Sequence, residues 1–103
     1  MLHGLLWWTL LVLCHSPALA QNPAGYNADQ AAQGEIVYEE QCAVCHGYNL
    51  EGFDFVPSLS GNFFSRRWGN RPIADLAASL QRMPPTQPGA LSQHVYSKLL
   101  AFL

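Results

Sequence analysis

A short cysteine–histidine motif near the middle of the chain restricts its possible folds and functions more than any other feature. Cys42 and Cys45 lie three positions apart, and His46 follows the second cysteine directly. Residues three apart at a helix end lie on the same side, so both thiols can bond to one edge of a planar group. The imidazole that follows is then held beneath the centre of that group. This C-x-x-C-H spacing predicts one haem c, attached covalently through Cys42 and Cys45, with His46 as an iron ligand.

Three other uses of the motif compete with haem. A redox disulfide is expected within a βαβ pattern, and no strand pattern flanks the motif. A zinc site needs further ligands at close spacing, and His94 is the only other histidine after residue 20. A structural disulfide between Cys42 and Cys45 would close a very small loop and add little stability. We favour haem, and keep a secreted module held by that disulfide as an alternative hypothesis.

The beginning of the chain has the pattern of an export signal. It contains no Asp, Glu, Lys or Arg, and residues 5–14 form an almost unbroken apolar run that is too short to span a bilayer unaided. Pro17 ends this run, and Ala18-Leu19-Ala20 has the small-x-small form of a signal-peptidase site. We predict a signal peptide over residues 1–20 and a periplasmic protein. The alternative is an uncleaved anchor that leaves the domain attached to the membrane and facing the periplasm.

Size and charge narrow the class of protein further. The chain has 103 residues, which suits one small domain with a thin core. Domains of this size are commonly stapled by a disulfide or a metal group, and a covalent haem would be such a staple. The formal net charge is −2 and no run of basic residues occurs, so nucleic acid is not an expected partner. Membrane contact is expected only if the N-terminal segment is retained.

After the signal, the sequence predicts a flexible leader over residues 21–27 and an all-α domain over residues 28–103. The leader is polar and contains Pro and Gly. Residues at helical spacing predict a first helix over 28–43, and either Asn27 or Asp29 can cap its first amides. We expect three to four helices in all, joined by long loops.

Later helices and a long loop complete the predicted architecture. Pro72 favours a helix start, helical spacing continues to about Gln81, and Ser92 is a fair N-cap for a last helix. Residues 63–68 are predicted as a short helical turn. Residues 47–62 are too rich in Gly, Pro, Ser and Asn for a strand or long helix, so we predict a loop. Its apolar side chains need a hydrophobic object to wrap, such as a haem plane; they are Leu50, Phe53, Phe55, Val56 and Leu59.

The order of these features resembles the class I cytochrome c family over about residues 28–103. The resemblance implies a cytochrome c fold, with helices and long loops wrapped around one covalent haem. The part that includes Phe63, Trp68, Met83-Pro84 and Tyr96 is similar to cytochrome subunits and domains that accompany quinoprotein dehydrogenases. The matching features are Gly34 and Tyr38, the C-x-x-C-H motif with Gly47, Pro57-Ser-Leu59-Ser-Gly61, Met83-Pro84, Pro88-Gly89-Ala-Leu91-Ser92 and Leu99-Leu-Ala-Phe102-Leu103.

The resemblance implies a role for particular residues. His46 would be the proximal ligand through Nε2, with the Pro57 carbonyl accepting a hydrogen bond from its other ring nitrogen. Met83, the only methionine after residue 20, would be the distal ligand. The alternatives are that Met83 fills a gap in the core, or that His94 is the sixth ligand instead. Two further residues, Gly34 and Phe102, match the glycine and aromatic at which the first and last helices cross.

Trp68 is a second candidate for contact with the cofactor. Its indole N–H can donate to a buried haem propionate, and Arg66, Arg67 or Arg71 can offset the propionate charge. A plain hydrophobic wall is an equally good interpretation of Trp68, and the arginines are equally compatible with a solvated face.

Ligation by His46 and Met83 would leave no open iron position for a substrate and would favour electron transfer. We therefore predict a periplasmic carrier of single electrons, not itself an enzyme, working between a dehydrogenase, for instance a quinoprotein, and a respiratory acceptor. Its partners would be that dehydrogenase, a terminal oxidase or another cytochrome. They would dock transiently at an exposed haem edge near Ala43-Val44 and Met83–Pro85. A haem sensor or catalytic haem with an open sixth position is the alternative if Met83 does not bind iron.

Overall fold

A computed structural model describes residues 25–103 of the chain. The predicted signal peptide and residues 21–24 of the predicted leader lie outside the described residues. Within the described part the fold is all-α, as predicted, with five helices and a single isolated β-bridge between Phe53 and Val56. The helices are α1 (Ala28–Gln41), α2 (Ala43–His46), α3 (Gly61–Trp68), α4 (Ile73–Leu80) and α5 (Gln93–Phe102).

The predicted count of three to four helices is too low, and the reason lies at the motif. Helix α1 ends at Gln41 because Cys42 leaves helical geometry, with φ −122° and ψ −36°. Its N–H still donates to the Tyr38 carbonyl at 2.8 Å, and the chain then starts a separate helical turn, α2. The predicted helix over 28–43 is therefore interrupted at Cys42.

Side-chain caps set the starts of α1 and α5. The Asn27 side chain accepts from the Gln30 N–H at 2.9 Å, and the Gln30 side chain accepts from the Asn27 N–H at 3.0 Å. This reciprocal capping box identifies Asn27, not Asp29, as the cap. Ser92 caps α5 as predicted, since its hydroxyl accepts from the Val95 N–H at 3.2 Å. Pro72 is the N-cap of α4 instead of its first helical residue.

Helices α1 and α5 cross in close contact at Gly34. A Cβ at position 34 would overlap the Lys98 carbonyl oxygen and lie 2.9 Å from the Phe102 Cβ, so only glycine fits without a shift. One turn later the rings of Tyr38 and Phe102 pack with centroids 5.3 Å apart. This is the helix crossing that the cytochrome c resemblance implies.

The buried core is small and adjoins the motif. It joins side chains of α1, α2, α4 and α5, which are Tyr38, Ala43, Leu80, Tyr96, Leu99 and Leu100. None of the residues of α3 is buried, so that helix lies outside the core. Because Ala43 belongs to this core and is 3% exposed, it anchors the motif to the helices, while its neighbour Val44 is 82% exposed.

Among the described helices, none has the length and apolar character that crossing a membrane requires.

Candidate functional site

The C-x-x-C-H motif forms one closed helical turn. The Cys42 carbonyl accepts from the Cys45 N–H at 3.1 Å and from the His46 N–H at 2.9 Å. Cys42 is half-buried, Cys45 is exposed, and both are free thiols. Burial raises the pKa of the Cys42 thiol above its usual value, and the neighbouring Cys45 adds to the shift. The Cys42 thiol is therefore neutral near pH 7, held one turn from a second thiol.

His46 is held in one orientation. It is buried, 8% exposed, and its Nδ1 lies 2.8 Å from the Pro57 carbonyl oxygen. Because a carbonyl oxygen only accepts, Nδ1 carries the proton of this hydrogen bond. The Nε2 lone pair is then free to bind a metal, and the bond to Pro57 makes the ring a better donor. The contact between His46 and Pro57 is the one that the resemblance implies.

We call residues 42–60 the proximal segment, because its loop folds back on the motif. The Gly52 N–H donates to the His46 carbonyl at 2.6 Å. Further along, the Leu50 carbonyl accepts from the Leu59 N–H at 2.9 Å and from the Ser58 hydroxyl at 3.0 Å. These cross-links flank Pro57 and fix its carbonyl against the His46 ring.

Tyr38 ties the proximal segment to the helix pair. Its hydroxyl donates to the Gly47 carbonyl at 2.6 Å, directly after His46. Burial raises the pKa of Tyr38 from 10.0 to about 12, with charge on Cys42 and then on Glu51 adding to the shift. The phenol therefore stays a donor well above neutral pH. In the sequence, Tyr38 was named only among the features of the cytochrome c resemblance, and nothing there indicated that its hydroxyl would bond a loop carbonyl.

Met83 lies on a different stretch of chain, residues 83–91, which we call the distal segment. It lies three residues after the end of α4, is half-buried, and its N–H donates to the Leu80 carbonyl at 2.9 Å. Its carbonyl accepts from the Tyr96 hydroxyl at 2.6 Å. Among the described residues, no hydrogen bond joins the distal segment to the proximal one. Sequence reasoning found Met83 but missed the hydrogen bond from Tyr96.

Trp68 ends α3, is half-buried, and lies beside two arginines. The guanidinium carbons of Arg67 and Arg71 lie 5.3 and 4.8 Å from its ring centroid, within cation–π range. Arg71 also pairs with Asp75 at 3.2 Å, on the exposed face of α4. Two of the three arginines that the sequence places near Trp68 therefore lie against its ring.

Apolar side chains around the motif face outward from the polypeptide. Phe53 follows Gly52, which bonds the His46 carbonyl, and is 77% exposed; Phe55 is 94% exposed. Leu59, by contrast, packs on the core. His94 is exposed near the start of α5, which suits a surface histidine. The polypeptide thus presents apolar surface beside an oriented imidazole.

The donor set fits covalent haem. Two thiols one turn apart beside an imidazole with a free Nε2 are the groups that c-type attachment uses. Among residues 25–103, no three side chains of His, Cys, Asp or Glu converge so as to hold a metal ion by themselves. An all-α domain with this turn and this imidazole defines a c-type cytochrome domain.

Comparison with known proteins supports that class. The family model described as cytochrome C oxidase, cbb3-type, subunit III matches residues 29–103. The chain belongs to this cytochrome c family, whose members transfer electrons through haem. Neither the curated proteins nor the solved structures include a match to the chain.

Proposed function

We propose that this protein is a periplasmic monohaem cytochrome that carries single electrons from a dehydrogenase, for instance a quinoprotein, to a respiratory acceptor. The observation that carries the proposal is the buried His46 ring, oriented by Pro57 within a C-x-x-C-H turn. Membership of the cytochrome c family supports haem-based electron transfer. The periplasmic location rests on the export pattern of residues 1–20.

Three side chains of the motif would bind the cofactor in two different ways; they are Cys42, Cys45 and His46. The two thiols would hold the haem as thioethers, which prevents its loss from a domain with a small core. When bound, the haem supplies a one-electron couple at its iron. His46 would bind through Nε2, and the hydrogen bond from Nδ1 to Pro57 keeps the ring from rotating away.

Met83 would occupy the distal position. A methionine thioether opposite a histidine raises the reduction potential and leaves no position for substrate, which suits a carrier and not a catalyst. The support is its position three residues after the end of α4, on a segment folded into successive turns. In that segment Gln87 N–H donates to the Pro84 carbonyl at 2.9 Å, and Ala90 N–H to the Gln87 carbonyl at 3.2 Å.

Trp68 would contact a propionate of the haem. Arg67 and Arg71 flank its ring, so a negative group beside the indole N–H would be partly neutralised. Partner proteins would dock at the exposed Val44 edge of the motif and form a small, short-lived interface. Transient docking suits a carrier that must release each partner after one electron.

The haem content of matured protein tests the core of the proposal. We expect the full chain, made with a c-type maturation system, to contain one haem per polypeptide by pyridine haemochrome analysis. Replacing both motif cysteines by alanine removes both thioether bonds and is expected to abolish covalent haem. Cys14→Ser is the matched control, since Cys14 lies outside the motif, and it should keep full haem content in the mature protein. Haem missing from properly matured wild-type protein would overturn the proposal.

A further inference from the structure

Tyr96 makes the main link between the distal segment and the last helix. It is buried, 4% exposed, and its hydroxyl donates to the Met83 carbonyl at 2.6 Å. The same oxygen also lies 3.5 Å from the Leu91 backbone nitrogen, from which it accepts. One phenol therefore joins the first and last residues of the distal segment.

Among the described residues, no other hydrogen bond joins the distal segment to α5. Tyr96 is the only residue of α5 that hydrogen-bonds the distal segment. The segment's other bonds are internal turns, apart from the bond of Met83 N–H to the Leu80 carbonyl. The distal segment is thus ordered by its own turns, packs on the core through Leu91, and is hydrogen-bonded to the last helix by one hydroxyl group.

We propose that Tyr96 is a positioning residue for Met83, whose hydroxyl determines how readily an outside ligand displaces the methionine thioether. The inference rests on the proposed role of Met83 as distal ligand. In the proposed displacement the Met83 backbone moves, and that movement breaks a short, partly buried hydrogen bond. Tyr96 thereby stabilises the arrangement in which Met83 binds the iron, which we call the closed arrangement, without touching the iron itself.

The expected size of the effect follows from the cost of a lost buried hydrogen bond. Removing the phenol hydroxyl also leaves the Met83 carbonyl without its partner in the closed arrangement. We expect an about tenfold higher apparent affinity for an outside ligand, which corresponds to about 1.4 kcal/mol. In the wild type the closed arrangement dominates. Any loss of its stability therefore raises the apparent affinity for the outside ligand by the full corresponding factor.

The experiment is an imidazole titration of oxidised holoprotein, comparing wild type with Tyr96→Phe. Phenylalanine keeps the ring in the core and removes only the hydroxyl. Loss of the weak far-red absorption band of methionine-ligated haem reports displacement of Met83. Tyr38→Phe is the matched control, because Tyr38 is equally buried and its hydroxyl also donates to a backbone carbonyl at 2.6 Å, but on the proximal segment.

We expect about tenfold tighter imidazole binding in Tyr96→Phe, together with a lower reduction potential, and wild-type affinity in Tyr38→Phe. Equal affinity in Tyr96→Phe and wild type, or equal changes in both tyrosine variants, would overturn the positioning role. Met83→Ala is titrated in parallel to separate the two proposals. If its far-red band and imidazole affinity match the wild type, the ligand assignment of Met83 fails, and the inference about Tyr96 falls with it.

Discussion

The proximal and distal segments are fastened to the same helix pair in the same way, yet they differ in how many bonds support them. Each is tied by a buried tyrosine hydroxyl to a backbone carbonyl at 2.6 Å, Tyr38 to Gly47 and Tyr96 to Met83. The proximal segment also has cross-links within its loop, including the 2.6 Å bond from the Gly52 N–H to the His46 carbonyl. Besides its two hydrogen bonds with Tyr96, the distal segment has internal turns and one bond to α4, from the Met83 N–H to the Leu80 carbonyl. The segment that carries His46 is thus held by several bonds, and the segment that carries Met83 by few.

With haem bound, this difference would let one small domain keep its cofactor permanently and still adjust the chemistry of the iron. Redundant bonds and two thioethers would make loss of the proximal ligand improbable, because no single contact decides its position. A distal ligand supported by few hydrogen bonds can be adjusted by one side chain, because each bond contributes a large part of the stability of its position. Three changes test the proposed difference in support between the two segments. They are removal of each candidate ligand, weakening of the shared helix crossing, and titration of Tyr38.

Removing the two ligands should give the largest and most unequal effects. His46→Ala takes away the buried imidazole, and we expect holoprotein that fails to accumulate or has no low-spin spectrum. Met83→Ala should keep its haem, with a potential lower by on the order of 0.2 V, a part of the range that axial ligands control. Haemochrome content, potentiometry and carbon monoxide binding to the reduced protein measure the two outcomes.

His94→Ala is the control for that comparison, because His94 is exposed and is the remaining histidine of the described residues. We expect its spectrum and potential to match the wild type. An unchanged potential in Met83→Ala, with a changed one in His94→Ala, would instead assign the distal position to His94. Ready carbon monoxide binding by reduced wild-type protein would favour a sensor or catalytic haem with an open position.

The sequence predicted those parts of the molecule that depend on local chemistry. The C-x-x-C-H spacing, the Ser92 cap and the all-α fold follow from neighbouring residues, and each has its expected form in the structure. The break at Cys42 was not predictable in this way. Residues 28–43 have continuous helical spacing, and the departure of Cys42 from helical geometry is visible only in the folded backbone.

The two tyrosine tethers show a second limit of sequence reasoning. At core-facing helix positions, a pattern of apolar spacing treats tyrosine, phenylalanine and leucine alike. Whether a tyrosine hydroxyl can donate to a carbonyl depends on whether a loop distant in sequence packs beside it. Here Tyr38 donates to Gly47 and Tyr96 donates to Met83. The candidate ligands His46 and Met83, and the Pro57 carbonyl behind His46, were named from the motif and the family resemblance. The supporting hydroxyls of Tyr38 and Tyr96 needed the structure.

Weakening the helix crossing should loosen both segments together, with an intermediate effect on stability. Gly34→Ala places a Cβ against the Lys98 carbonyl oxygen, which is backbone and cannot rotate away. We expect a loss of about 1–3 kcal/mol in the free energy of unfolding, larger than the gain in helix propensity of up to about 1 kcal/mol. Denaturant unfolding measures it. Gln33→Ala, an exposed neighbour on α1, should stay close to wild type, and equal stability of both variants would contradict the close approach.

The alkaline titration of Tyr38 should give the smallest effect and tests the proximal tether alone. The pKa of Tyr38 is raised from 10.0 to about 12, chiefly by burial. Below pH 10 the phenol is protonated in both folded and unfolded chains, so its contribution to stability is fully present there. Between pH 10 and about 12 the unfolded chain loses this proton while the folded one keeps it, and the free energy of unfolding falls, by up to about 2 kcal/mol.

Tyr38→Phe isolates this contribution, because every other titrating group is shared with the wild type. The stability difference between the two proteins, measured by denaturant unfolding of holoprotein, should shrink as the pH rises through this window. Thioether formation removes the charge of Cys42 but leaves burial, the largest cause of the shift, in place. Glu51→Gln should lower the pKa of Tyr38 slightly, so the decline would end at a lower pH. A stability difference that is constant with pH would contradict this prediction. It would mean that the Tyr38 phenol has the same pKa in the folded and the unfolded chain, so that neither burial nor the hydrogen bond to Gly47 shifts it.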